Sequence, residues 1–296
     1  MGFDYARTPD GRREACRAGG CGVSGWSGDE RPNRVSIHPS ACVSEEAQVA
    51  AGAEIGPFCV IAARVRIGAG TVVESHARIG SRFGSVTIGE RNLIQHAAVL
   101  GSPPQDLGYD SGFDASLAIG DGNRIGEFVT VSLGTEKGGG TTRIGNRNFL
   151  MAYSHVGHDC RLENDIVITN LCQIAGHVVI EDHAILSGHT GVTQFVRLGA
   201  YSFLAGGSYA NKDVPPFSIA EGYWATLRAV NRVGLRRAGF DASERRNIER
   251  AVRFLLDGAV PLAEAVERIR AECDPSPQID RLVSFVESSR RGIARR

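Results

Sequence analysis

The chain has 296 residues, 42% of them hydrophobic, and its 33 basic and 33 acidic side chains leave no formal net charge. That length and apolar fraction support one long domain or two, and the neutral balance excludes a nucleic-acid or membrane-surface binder driven by global charge. Seven cysteines (Cys16, Cys21, Cys42, Cys59, Cys160, Cys172, Cys273) stand singly with no C-x-x-C pair, which argues against a zinc ribbon or redox motif and for a reducing compartment.

Residues 1–33 carry arginines but no apolar run of the length a signal peptide needs, and Ala6 stands where a myristoylation site requires Ser or Thr. No segment approaches the roughly 18 apolar residues of a membrane span. The expectation is a flexible N-terminal extension over 1–33 on a soluble cytoplasmic protein.

A six-residue period then begins: Ile37, Val43, Val49, Ile55, Ile61, Ile67, Val73 and Ile79. It slips by three residues, resumes at Ile88, Ile94 and Leu100, breaks over 101–118, returns at Ile119, Ile125 and Val131, and breaks again over 134–143. From Ile144 it runs without error through Leu150, Val156, Leu162, Ile168, Ile174, Ile180, Leu186, Val192, Leu198 and Leu204. At this composition such a block arises by chance on the order of 10⁻⁴ per starting position.

Six residues match neither a helix nor a plain alternation. They suit a short strand plus a tight corner, with one aliphatic side chain per face turned inward. Three faces close a triangular coil of 18 residues, so the period predicts a parallel β-helix of about eight coils over 34–214, roughly 40 Å long at the ~4.8 Å strand spacing. The pattern dissolves at Asp213-Val214-Pro215-Pro216, where Pro215 has no amide for a strand ladder, and the β-helix is expected to end there. A C-terminal helical domain over 215–296 follows. Asp241 caps a helix carrying Ile248, Val252 and Leu255-Leu256, and further helices are expected over 261–272 and 279–286.

In a solenoid, inserted loops lie on the surface and often build the binding face. The interruptions at 101–118 and 134–143 are therefore where a site would form, although a tolerated insertion explains either one equally well. His155, His158, His177, His183 and His189 fall in the cleanest repeats. A single corner histidine is more often solvated or hydrogen-bonded than catalytic, but the coil arithmetic adds something. Residues 18 apart stack in neighbouring coils, which places His158 beside Gly176, Asp159 beside His177, and Gly176 beside Gln194. A base, a glycine with an accessible N–H and polar side chains would share one strip. Acyl transfer to a hydroxyl needs these parts: an imidazole to take the alcohol proton and a fixed donor for the developing oxyanion. No serine or cysteine with a partnering base is apparent, so direct attack by the acceptor is simpler than a covalent acyl-enzyme.

The segment Asn148-Phe-Leu-Met-Ala-Tyr-Ser-His155-Val-Gly-His158-Asp159-Cys160, together with Ala175-Gly176-His177-Val178, Pro104-Gln105-Asp106-Leu107, Gly138-Gly-Gly140 and Asp213-Val-Pro-Pro216, resembles the acyl-(acyl carrier protein)–UDP-N-acetylglucosamine O-acyltransferases of lipid A synthesis. The likeness covers residues 34–240 well and the tail more loosely. It implies a left-handed turn of the β-helix, against the usual rule for parallel crossovers, and a homotrimer with active sites between subunits. It also implies transfer of a 3-hydroxyacyl chain from acyl carrier protein to the 3-hydroxyl of UDP-N-acetylglucosamine, with no cofactor or metal.

Carried over residue by residue, the resemblance makes His158 the general base, Asp159 the group that orients it and Gly176 the oxyanion donor. Asp106, His155, His177 and Gln194 become sugar-nucleotide contacts, and Asn231 and Arg237 fall in the nucleotide and acyl-donor region. Gly206 falls where acyl length is measured. The chain departs from the family pattern at Thr193 (His expected), Gly108 (Lys), Val233 (Glu) and Ala238 (Arg), and Val131-Ser132-Leu133-Gly134 lacks a His-Arg pair. Those departures keep open another UDP-amino sugar as acceptor, with amide formation, and a non-catalytic β-helical scaffold. A zinc hydratase, using interfacial histidines as ligands, is a further alternative. The acidic carrier protein would be met by basic residues of the tail, Arg228, Arg232, Arg236, Arg237, Arg245, Arg246, Arg250 and Arg253.

Overall fold

The computed structural model describes residues 34–109 and 112–295, and the extension expected over 1–33 lies outside the described residues. Strands of two to five residues stack into three sheets of 11, 9 and 8 strands, the faces of a left-handed parallel β-helix. The first face runs from Ser36–Ile37 to Phe203–Leu204, the second from Cys42–Val43 to Tyr209–Ala210 and the third from Gln48–Val49 to Arg197–Leu198. Eight coils are complete, and the first two faces of a ninth follow. In the strict block the register is 18 residues, as in Val156↔Ile174↔Val192 and Leu150↔Ile168↔Leu186.

The periodic aliphatics form the core, since Ile94, Ile125, Leu150, Val156, Ile168, Ile174, Ile180 and Leu186 are all fully buried. Each contributes about 1.5–3 kcal/mol by leaving water. Ile37, on the first coil with a neighbour on one side only, remains exposed. A ladder of buried asparagines lies beside the first face: Asn92 Oδ1 accepts the Asn123 N–H at 2.8 Å, Asn123 Oδ1 the Asn148 N–H at 2.9 Å, and Asn148 Oδ1 the Ile166 N–H at 2.8 Å. These bonds satisfy corner amides that no strand ladder reaches.

The corners explain where the polar side chains go. From Arg147 to Tyr201, every sixth residue has a φ between +54° and +66°, including Asp159, Asp165, His177 and His183. A two-residue corner of this kind demands a left-handed residue, uncommon outside glycine and tolerated best by Asn, Asp and His. Neighbouring coils hold these corners in place from both sides, and their side chains stack outward in columns.

Past Pro215-Pro216 the first face continues. Both prolines sit at the corner before Phe217, where no ladder amide is needed, and Ser218–Glu221 then pairs parallel with Phe203–Leu204. Thr226–Val230 returns antiparallel and covers that edge. Four helices follow: α1 (Arg232–Arg237), α2 (Ala242–Leu256), α3 (Leu262–Glu272) and α4 (Pro277–Glu287). Asp241 caps α2 through the Ser243 and Glu244 N–H groups, as its sequence position predicts. Arg197 of the last complete coil ties down α4: its guanidinium lies 4.0 Å over the Phe285 ring, and its Nε lies 3.3 Å from buried Asp213.

Candidate active site

The corner between the second and third faces concentrates the polar groups. On the second face, His155, Gln173, Gly191 and Tyr209 pair in register through four successive coils. Just beyond them, His158 lies over Gly176. A Cβ built on Gly176 would sit 2.5 Å from His158 Cε1 and 2.6 Å from Nε2, so only glycine admits the ring. The Gly176 N–H has no backbone acceptor among the described residues. His158, Gly176, His155 and Gln194 line one groove of about 370 Å³, together with Gln105, Ser132, Gln173, Thr193 and Tyr209.

Behind the groove, His158 Nδ1 meets Asp159 Oδ2 at 2.8 Å. The Asp159 side chain is fully buried. Burial alone would raise its pKa, but the bonds from His158 and from the N–H and hydroxyl of Thr135 prevail and hold the carboxyl below the ordinary range. An ionised carboxylate only accepts, so the proton of this bond belongs to His158 Nδ1, and Nε2 is left on the Gly176 side.

His177 stands at the same corner one coil on, its ring edge-on to His158 at 5.0 Å and stacked on Phe195 at 4.5 Å, with Nε2 3.6 Å from Asp159 Oδ2. Burial, reinforced by His158, lowers its pKa against the opposing pull of Asp159. His155 is lowered in the same way, by burial and then by His158, and its Nδ1 lies 2.7 Å from Thr130 Oγ1. Cys160 is no nucleophile: burial pushes its thiol up to about 12, and its Sγ–H donates to the Ala175 carbonyl at 3.0 Å. Among the described residues, the donor atoms of His158, Asp159 and His177 converge to within 4.8 Å of one another, close enough to hold a metal ion. Binding there would compete with the three hydrogen bonds already on the Asp159 oxygens.

Asp106 comes from the first inserted loop, where its Oδ1 accepts the Gly108 N–H at 2.9 Å and its charge acts on His177. Asn231 and Arg237 do not join this groove within one chain. They line a second cavity of about 550 Å³ on the first face beside α1, with Asp165, His183, Tyr201 and Phe203, and the two cavities share no lining residue. The Asn231 side chain is already engaged, since Oδ1 accepts the Gly234 N–H at 3.0 Å to cap α1 and Nδ2 donates to the Tyr201 carbonyl at 2.9 Å. Gly206 lies at a corner against Gly188 and Ser187, outside the lining of either cavity.

The departures have locations too. Thr193 lines the groove with its hydroxyl buried and without a hydrogen-bond partner among the described residues. Val233 and Ala238 line the second cavity. A Cβ on Gly108 would lie 3.0 Å from Lys137 Nζ, so a cation from the other inserted loop stands beside it. Sequence reasoning missed Gln173 and Tyr209, which the 18-residue step from His155 would have found. It also missed Thr135, for which no periodic signal exists.

No helix among the described residues is long and apolar enough to cross a membrane. Residues 213–294 match the family model described as UDP N-acetylglucosamine O-acyltransferase, domain 2. The acyl-(acyl carrier protein)–UDP-N-acetylglucosamine O-acyltransferase of Halorhodospira halophila is 44% identical over 259 residues, 88% of this chain and 99% of that protein. Its counterpart in Alkalilimnicola ehrlichii is 46% identical over 198 residues, 67% of this chain and 76% of that protein. Among solved structures, the UDP-N-acetylglucosamine acyltransferase of Francisella novicida superposes with a TM-score of 0.83 at 38% identity, covering 88% of this chain and 94% of its own. That of Campylobacter jejuni gives 0.82 at 35%, covering 88% and 100%. Likeness at this level, over 88% of this chain and nearly the whole length of such relatives, shows that the chain is an acyltransferase and belongs to the acyl-(acyl carrier protein)–UDP-N-acetylglucosamine O-acyltransferase family.

Proposed function

We propose that this chain moves a 3-hydroxyacyl group from the thioester of acyl carrier protein to the 3-hydroxyl of UDP-N-acetylglucosamine, the entry step of lipid A synthesis in the cytoplasm. The observation that carries the reading is His158 seated on Gly176 with Nδ1 tied to a buried carboxylate. His158 Nε2 takes the hydroxyl proton as the oxygen attacks the thioester carbonyl. The oxyanion forms toward the Gly176 N–H. Collapse expels the carrier-protein thiolate, which receives the proton from the imidazolium and leaves as a thiol. Asp159 keeps the ring in the productive tautomer throughout.

In this proposal Asp106, His155, His177 and Gln194 hold the sugar nucleotide at the groove. Asn231 and Arg237 reach it from a neighbouring copy in a homotrimer, which accounts for their lying in a separate cavity of one chain. Gly206 leaves room for the acyl chain. The β-helix then runs from residue 34 to Ser218–Glu221, the strand that prolongs its first face, and Thr226–Val230 joins it to the helices of the C-terminal domain. The carrier protein docks on the arginines of that domain: Arg236, Arg237, Arg245 and Arg246 make no ion pair among the described residues, whereas Arg232 and Arg253 share Glu249. Purified protein given 3-hydroxyacyl carrier protein and UDP-N-acetylglucosamine should yield the O-acylated sugar nucleotide by mass spectrometry. Absence of turnover with every UDP-amino sugar would overturn the reading.

A further inference from the structure

We propose that Thr135, in the second inserted loop, is a positioning residue for this reaction, acting through Asp159 on the tautomer of His158; the inference rests on the reading of His158 as the base. Asp159 has no exposed side-chain surface, and its oxygens are filled in a definite order. Oδ1 accepts the Thr135 N–H at 2.8 Å, and Oδ2 accepts the Thr135 hydroxyl at 2.7 Å and His158 Nδ1 at 2.8 Å. One residue therefore grips both oxygens and sets the plane in which Oδ2 faces the imidazole.

The direction of the hydroxyl bond is settled by the carboxylate. Asp159 is ionised and only accepts, so the Thr135 hydroxyl proton points to the carboxylate, and its oxygen is left to accept the Gly138 N–H at 3.2 Å. The turn Glu136–Gly138 then lies flat on Asp159: a Cβ built on Gly138 would stand 1.9 Å from Asp159 Cγ. Where the chain leaves the loop, Thr142 Oγ1 accepts the Asp159 backbone N–H at 2.8 Å. The insertion thus excludes water from the carboxylate and supplies two of its three close donors. A buried carboxylate left short of donors takes up a proton or turns to find another partner. In either case the acceptor that keeps hydrogen on His158 Nδ1 is lost.

A residue that merely capped the turn would affect stability alone. Thr135→Val keeps the shape and the N–H but removes the hydroxyl, whereas Thr135→Ser keeps it. The valine variant is expected to lose about 10- to 100-fold in kcat, with KM for both substrates within about twofold. Losing a donor raises the pKa of Asp159, so the acid limb of its kcat profile moves to higher pH. The serine variant should recover most of the activity and the wild-type limb. Nitrogen NMR of His158 in the full-length protein should show Nδ1 protonated in the wild type and a mixture of tautomers in the valine variant.

If the valine variant does not fold, Gly138→Ala, which drives a methyl into the carboxylate while keeping every donor, should give the same loss of kcat and tautomer mixture. Wild-type kcat, an unmoved acid limb and an unchanged tautomer in the folded variant would overturn the proposal. So would equal impairment of the valine and serine variants. The NMR readout needs no turnover. A wild type that transfers no acyl group, yet shows the Thr135-dependent tautomer, would refute the proposed reaction and leave the positioning role standing.

Discussion

Two corners of the same prism, six residues apart in sequence, carry almost the same column of side chains. At one, Asp159 and His177 are followed by Phe195, stacked on His177 at 4.5 Å; at the other, Asp165 and His183 are followed by Tyr201, stacked on His183 at 4.6 Å. All six residues have left-handed backbones, with φ from +57° to +66°. Each column places a histidine within 4 Å of the aspartate, at 3.6 and 3.9 Å. The difference lies in what precedes and what covers the carboxylate. Asp159 follows His158 and is sealed by the second inserted loop, whereas Asp165 follows Asn164 and reaches out to Arg147 at 2.8 and 2.6 Å. The Arg147 bond is the first cause of Asp165's lowered pKa, while Asp159 is held down against its own burial. A period-six repeat supplies Asp–His–aromatic columns generically, and in the proposed reaction the added histidine and covering loop turn one of them into an acid–base device.

Replacing His158 with alanine should have the largest effect, lowering kcat on the order of 10³-fold with little change in stability. His183→Ala, at the matching place in the second column, should change kcat by less than about tenfold. Equal losses at both positions, in steady-state assays, would mean that the corners do not differ in the way proposed.

Next comes Asp159→Asn, for which a kcat loss of about 10²-fold is expected because an amide can hold the ring in the wrong tautomer. The same residue makes a prediction for stability. Its folded pKa lies below the ordinary 3.8, so its contribution is present above that value and is lost as pH falls through the folded one. His155 and His177 act earlier. Their folded values lie below the ordinary 6.5, so the unfolded chain binds protons first and stability declines as pH drops below about 6.5. Denaturant melts across pH should show both declines, with the lower one flattened in Asp159→Asn and the upper one in His155→Gln.

The two columns also show what could be read beforehand. The inward aliphatics announce every coil of the strict block, and the 18-residue step correctly sets His158 against Gly176 and Asp159 against His177. Thr135 lay beyond that arithmetic because the loop adds seven residues to its coil, so that Thr130 pairs with His155, 25 positions on. Pro215-Pro216 looked like an end because proline cannot join a ladder, yet corners make no such demand and the first face resumes at Ser218. The six-residue helix α1 is too short to advertise itself by periodicity. Its cap, Asn231, is expected from the resemblance to be a nucleotide contact; in the fold its amide also caps α1 through the Gly234 N–H and holds the Tyr201 carbonyl, a role no period announces.

The cavity beside the Asp165 column gives a smaller effect. Arg237→Ala should raise KM for the sugar nucleotide or the carrier protein about 5- to 10-fold and leave kcat within twofold, the loss of one charge-assisted contact. Whether that cavity serves the groove of its own chain or of a neighbouring copy is tested by mixing. Co-expressed His158→Ala and Arg237→Glu chains should recover activity above either parent if a site draws on two copies. No recovery would place both cavities at the service of one chain.

The smallest effect is expected where the second column departs most from the first. Arg147 holds Asp165 by two hydrogen bonds, but its side chain is 62% exposed, so solvent screens the pair and the arginine gives up little when it lets go. Arg147→Ala should leave kcat within about twofold and the midpoint of thermal unfolding nearly unchanged. It frees Asp165 to turn toward His183, now 3.9 Å away, which brings the second column closer to the arrangement of the first. If an Asp–His column sufficed for chemistry, that variant would gain a His158-independent activity, measurable in the background of His158→Ala. With no histidine before Asp165 and no loop sealing its carboxylate from water, the double variant should remain as inactive as His158→Ala alone.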